Sequence, residues 1–185
     1  ALIVLGRQIE LHIAVIPAIS RNPSPDPLFF IPGGPGEAAT ESYLIVYAAF
    51  NRLNQKRDIV LVDQRGTGGS HPLECTLEGD DSEVEDTQAI IDACVASLDA
   101  DLHFYTTQIA MQDLDQVREA LGYPQINLYG ASYGTRAALD YLRQFPDKVR
   151  TVILDGVAPP NWVLGPTTAA DGQRAIEHIF ERCQD

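Results

Sequence analysis

The stretch Ile126–Leu139, INLYGASYGTRAAL, decides the fold. It reads as a strand, a tight turn of small residues and then a helix. Its first five residues read as a short buried strand, the kind found in a parallel sheet. Helical spacing begins at the turn and runs to Pro146, which stops it. At the corner stands one hydroxyl, Ser132, with Gly130 and Gly134 on either side. GASYG fits G-x-S-x-G, the pattern of a serine lifted out of a sharp strand-to-helix turn. The backbone of such a serine is strained, and side chains two residues either way would strike close neighbours, so glycine stands at both positions. The corner also sets Ser132 at a helix N-terminus. From there the Tyr133 amide points toward negative charge developing on an attacked carbonyl. The reading is a nucleophile; a serine that serves only the turn is the alternative.

Similar apolar runs flank this stretch. LFFI (Leu28–Ile31), DIVLVD (Asp58–Asp63) and VRTVILDG (Val149–Gly156) predict further buried strands, and the alternating RQIELHIAVIP (Arg7–Pro17) predicts a half-buried one. Ser20–Pro27, with three prolines, is loop. Helices are predicted over Glu41–Gln55, Asp86–Leu98, Thr106–Tyr123, the segment after Ser132, and Thr168–Cys183. In the third, Ala110, Leu114, Val117 and Leu121 share a face, Thr106 or Thr107 can cap the start and Gly122 can end it. Helices alternating with buried strands predict a doubly wound α/β sheet with right-handed crossovers, whose active groups gather beyond the strands' carboxyl ends.

The 185 residues suffice for one core. A formal net charge of -13 argues against nucleic acid, whose phosphates call for Lys and Arg. No run of 18 apolar residues predicts a membrane span. No leader is visible, and the chain opens at ALIVLG without methionine, so an upstream segment is an open expectation. The three cysteines lack zinc-site spacing, and no metal or other cofactor is expected. Cys75 and Cys94 flank the acidic TLEGDDSEVED; a disulfide closing that loop would suit an exported protein, and two unpaired thiols are the alternative. Cys183 is left over.

A serine nucleophile needs a second amide donor. IPGGPGE places Gly33, Gly34, Pro35 and Gly36 directly after the first buried strand. Glycines let backbone approach a substrate carbonyl, Pro35 stiffens the loop, and Gly34 is the expected donor. The loop is no phosphate cradle of the Walker kind, because G-K-[ST] does not follow, and G-x-G-x-x-G is absent.

GGPG, DIVLVDQRGTGGSHPLEC (Asp58–Cys75) and DLHFY through VAPP (Asp101–Pro160) together resemble the proline iminopeptidase and tripeptidyl aminopeptidase branch of the α/β-hydrolases, which are serine exopeptidases. The resemblance runs from about Ile31 to Pro160. It implies an α/β-hydrolase fold with an incomplete, mostly parallel sheet flanked by helices, stopping before or within the cap insertion. Residues 1–160 would be the N-terminal part of the core and 161–185 the start of a helical cap. Ser132 would be the nucleophile, Tyr133 and Gly34 the oxyanion donors, and Cys75–Cys94 the disulfide of an exported member, secreted or periplasmic.

The family's order of serine, acid, histidine leaves the base unaccounted for. Only His178 follows Ser132, and it sits mid-helix near Glu177 and Glu181; His71 and His103 precede the serine. Asp155, at a strand end, is a candidate acid or a structural carboxylate. Acid and histidine are therefore expected from sequence beyond this chain. That C-terminal remainder would be a partner, continuous or as a separate chain, with Cys183 tied to it. Arg65 should anchor loops near the elbow with Asp63 as its companion. Glu37 could meet a substrate ammonium or simply face solvent, and Tyr43 and Tyr47 line the cleft or pack. The expected substrate is a peptide with a free N-terminus. An esterase or amidase for small substrates, and an inactive module with a binding or structural role, are the alternatives.

Overall fold

The computed structural model describes residues 8–75, 87–163 and 165–183. Among them five strands form one mixed sheet: β1 (Ile13–Ile16), β2 (Leu28–Ile31), β3 (Ile59–Val62), β4 (Ile126–Ala131) and β5 (Val149–Asp155). Their order is β1-β3-β2-β4-β5. β1 runs antiparallel to β3, and every other neighbouring pair is parallel. Between the strands lie α1 (Ala39–Asn54), α2 (Thr87–Ser97), α3 (Thr107–Ala120) and α4 (Tyr133–Gln144); α5 (Thr168–Arg182) follows β5. The predicted strands and helices all have counterparts, most of them trimmed at their ends; α1 instead starts two residues before its predicted bound, and β5, predicted as a buried strand, lies at the end of the strand order with every residue partly or fully exposed. The largest trim is β1, four residues at a sheet edge, with Ile13 and Val15 exposed. TLEGDDSEVED lies outside the described residues.

β2 and β3 are buried along their whole length, so their two faces feed two cores. Leu28, Phe30, Ile59 and Leu61 pack with Ala39, Tyr43 and Phe50 of α1. Phe29, Ile31, Val60 and Val62 join Ile126 and Leu128 of β4 against α3 and α4. Each fully buried side chain of this size contributes about 1.5–3 kcal/mol. Tyr43 packs edge-on to Phe30, with ring centroids 5.6 Å apart, whereas Tyr47 is exposed. On α3 the Thr106 hydroxyl accepts from the Ile109 amide, and Ala110, Met111, Leu114 and Val117 are buried. Leu121 departs from the expected face. It lies past the last helical turn, before Gly122 at φ 78°, and is exposed. α3 and α4 are tied by Asp115, which accepts from Arg118 (2.6 Å) and from the buried Tyr141 hydroxyl (2.7 Å).

Two constraints position the ends of β2, β3 and β4. The first is contact between backbones. A Cβ at Gly134 would collide with the carbonyls of Ile31 and Pro32, and one at Gly130 with the carbonyl of Gly134. The first turn of α4 therefore rests directly on the end of β2. The second is Asp63, fully buried after β3. Its carboxylate accepts from the Thr40 amide and hydroxyl (both 3.0 Å), from the Gly69 amide (3.1 Å) and from His12 Nδ1 (2.9 Å). These bonds fasten the start of α1, the glycine-rich turn after β3 and the residue preceding β1 to one point. Burial alone would push the Asp63 carboxyl up, but the bonds from Thr40, His12 and Gly69 outweigh it and hold it below the ordinary carboxylate range.

Gly134→Ala should therefore cost about 3 kcal/mol of stability, because rigid backbone must give way; urea unfolding of the full-length protein with wild-type stability would contradict the packing. Asp63→Asn should cost about 3 kcal/mol at neutral pH. The folded carboxyl titrates below its unfolded value of about 3.9, so its stabilisation is complete above that value and is lost as pH falls through the folded one. The difference between wild type and variant, followed by urea unfolding against pH, should narrow only below about pH 4.

Candidate active site

β4 delivers Ser132 to the carboxyl edge of the sheet, and α4 starts at the next residue. Ser132 adopts φ 51° and ψ -117°, a conformation that costs a non-glycine residue about 1–3 kcal/mol. Hydrogen bonds over-determine it. The Ser132 amide donates to the Asp155 carbonyl (2.8 Å). Its carbonyl accepts from the Thr135 amide (3.0 Å) and the Thr135 hydroxyl (2.6 Å). The residue itself is solvent-exposed. The structure thus holds this side chain on a strained corner and open to solvent.

The glycine loop after β2 lies beside it. A Cβ built on Gly33 would sit 3.4 Å from Ser132 Cβ and 3.6 Å from Glu37 Oε1. Gly34 (φ 98°) and Gly36 (φ 107°) take conformations that favour glycine, and Gly34 is joined to Pro35 by a cis peptide bond. Tyr133 opens α4, so its amide belongs to the first-turn N–H groups that lack an intrahelical carbonyl. The Tyr133 phenol is anchored away on α3, hydrogen-bonded to the Thr107 hydroxyl at 2.8 Å, and burial pushes its pKa up. The structure thus brings together Gly33, Gly130, Ser132 and Gly134, with the loop of Gly34, Pro35 and Gly36 alongside. Glu37 reaches the rim of this loop, exposed, where its carboxylate accepts from the Ser42 hydroxyl at 3.0 Å.

Arg65 and Asp63, expected to pair, do not. Arg65 forms a fork with Asp113 of α3 (both bonds 2.6 Å) and donates to the Phe104 carbonyl at 3.0 Å. Asp63 faces the opposite way, toward α1, because its two oxygens are already taken by the donors that hold the glycine loop's far end. Asp155 contributes through its backbone to Ser132, while its carboxylate accepts from the Tyr129 hydroxyl at 2.5 Å. Burial first, then that carboxylate, pushes the Tyr129 phenol up to about 12. The four imidazoles are all engaged away from Ser132: His12 with Asp63, His71 with the Asp99 carbonyl, His103 with Asp101, and His178 with Glu181. Cys75 and Cys94 form a disulfide, with Cα atoms 5.4 Å apart, and Cys183 is a free, exposed thiol. Among the described residues no cluster of His, Cys, Asp or Glu could hold a metal ion, and no helix is long and apolar enough to cross a membrane.

Sequence reasoning passed over Thr135, Thr40 and Asp113. Thr135 carried a usable signal, a β-branched hydroxyl directly after the second glycine of the turn. Thr40 and Asp113 carried none, since their partners lie 23 and 48 residues away.

The comparisons with known proteins agree with this architecture. A family model described as the alpha/beta hydrolase fold matches residues 26–180. Serine protease Hip1 of Mycobacterium tuberculosis is 32% identical over 151 residues, covering 70% of this chain and 29% of that protein. A tripeptidyl aminopeptidase of Streptomyces lividans is 28% identical over 177 residues, covering 84% of this chain and 33% of that protein. The crystal structure of a proline iminopeptidase from Mycobacterium smegmatis superposes with a TM-score of 0.54 at 23% identity, over 78% of this chain and 39% of that one. This chain spans about a third of the length of the curated relatives it matches. Sheet order, strained serine corner and family match converge: the chain belongs to the α/β-hydrolase fold family.

Proposed function

We propose that these residues are the nucleophile-bearing part of a serine peptidase that cleaves peptide bonds near a free N-terminus. The observation that carries the reading is Ser132, exposed at φ 51° between a helix N-terminus and a glycine loop. In the proposed mechanism Ser132 Oγ attacks a peptide carbonyl while a histidine takes its proton. The amides of Tyr133 and Gly34 stabilise the oxyanion. The amine leaves with a proton from that histidine, and water then hydrolyses the acyl-enzyme. None of the four imidazoles here bonds to Ser132, so the histidine and its acid come from sequence outside these residues. Two exposed apolar surfaces fit a longer chain: Leu44, Ile45 and Tyr47 on α1, and Ile176, Ile179 and Phe180 on α5. Residues 1–160 belong to the core and 161–185 open its cap. Glu37, beside the serine, is suited to a substrate ammonium. The peptidase reading rests on the names borne by the relatives, and the same elbow chemistry would serve an esterase equally. The Cys75–Cys94 disulfide supports an extracytoplasmic setting.

In the full-length protein, an alkyl fluorophosphonate should label Ser132 and no other residue, and Ser132→Ala should lower kcat by about 10⁴-fold or more. Aminoacyl and tripeptidyl p-nitroanilides with free amines should be cleaved, and their N-acetyl forms should lose about 100-fold or more in kcat/KM, as loss of a charge-assisted ammonium contact in the bound substrate costs. Faster turnover of p-nitrophenyl acetate than of any free-amine anilide would favour an esterase. Full activity of Ser132→Ala would end the serine mechanism.

A further inference from the structure

Thr135 is completely buried, although its side chain is polar. Its Oγ1 lies 2.9 Å from the Ala158 amide and 2.6 Å from the Ser132 carbonyl. An amide can only donate, so Oγ1 accepts from Ala158 and its own proton is committed to Ser132. The Ser132 carbonyl and the Tyr133 amide belong to one planar peptide unit, in which a trans bond sets C=O and N–H in opposite directions. Whatever holds the Ser132 carbonyl against the first turn of α4 therefore aims the Tyr133 N–H the opposite way, out of the helix's N-terminal end. Two donors hold it, the Thr135 amide and the Thr135 hydroxyl. The next residue, Arg136, reaches the same segment after β5. Its guanidinium donates to the Pro159 carbonyl (2.8 Å from Nη2) and to that of Trp162.

We propose that Thr135 is a positioning residue for the reaction: through the Ser132 carbonyl its hydroxyl sets the direction of the Tyr133 amide, and with Arg136 it fastens residues 158–162 to the nucleophile's corner. This rests on the serine hydrolase reading above. A hydroxyl with both roles is required. Valine keeps the shape and loses the donor, leaving the Ala158 amide without its acceptor. Serine keeps both bonds. The defect expected from a misaimed amide falls on the transition state and spares substrate binding.

The test uses full-length wild-type, Thr135→Val, Thr135→Ser and Arg136→Gln proteins. Each is measured for its rate of labelling by an alkyl fluorophosphonate, kcat and KM on p-nitrophenyl acetate, and melting temperature. Thr135→Val should label, and turn over ester, at least about tenfold more slowly with KM within about twofold. Thr135→Ser should stay within about threefold of wild type. Arg136→Gln, at a partly exposed site, should slow labelling about threefold and keeps the test decisive if Thr135→Val does not accumulate. Wild-type labelling rates in Thr135→Val, or in Arg136→Gln where that variant alone accumulates, overturn the proposal, as does a lowered melting temperature with unchanged kcat. Absence of labelling at Ser132 in the wild type overturns the serine mechanism itself, and this proposal with it.

Discussion

Everything at the carboxyl edge of this sheet follows from the contact between the first turn of α4 and the last residue of β2. Gly134 lies so close to the carbonyls of Ile31 and Pro32 that no side chain fits between them, and Gly130 is closed in the same way by Gly134. The chain between the two glycines must therefore turn within three residues. Its middle residue takes the positive φ that glycine would accept more readily, yet it is serine. A fold that holds a costly conformation at one exposed hydroxyl, with neutral backbone packed tightly around it, has concentrated strain at that residue.

The same edge is organised by charge. Asp63 and Arg65 leave β3 together and diverge. The carboxylate binds donors from α1, the turn at Gly69 and His12, while the guanidinium grips Asp113 of α3 and the Phe104 carbonyl. One turn thereby anchors layers on both faces of the sheet. Buried charges are tolerated there because each carboxylate oxygen and each guanidinium nitrogen has a partner. Since Thr40 is two residues into α1, the Asp63 carboxylate also fixes where the glycine loop ends, and so how Gly33 lies against Ser132.

Much of this was legible in the sequence because it is local or periodic. The segments at Leu28, Ile59 and Ile126 each announced a buried strand, and G-x-S-x-G after one of them announced the corner. The glycine loop after Leu28–Ile31 was legible for the same reason, since residues that need positive φ advertise themselves. Long-range polar partners were not legible. Arg65 and Asp63 looked like a pair because they are neighbours in the chain; which carboxylate meets which cation depends on how α1 and α3 flank the sheet. Leu121 followed the helical period but fell beyond the helix end, a boundary set by Gly122. Thr135 carries a local signal, its place directly after Gly134, but its bond to the Ala158 amide, 23 positions away, was not legible.

The most direct test is a crystal structure of the full-length protein with Ser132 phosphonylated by a fluorophosphonate. The phosphonyl oxygen should lie about 2.7–3.1 Å from both the Tyr133 and the Gly34 amide nitrogens, with Ser132 still at positive φ. An oxygen directed away from both amides, or a phosphonyl group carried on another residue, would contradict the account.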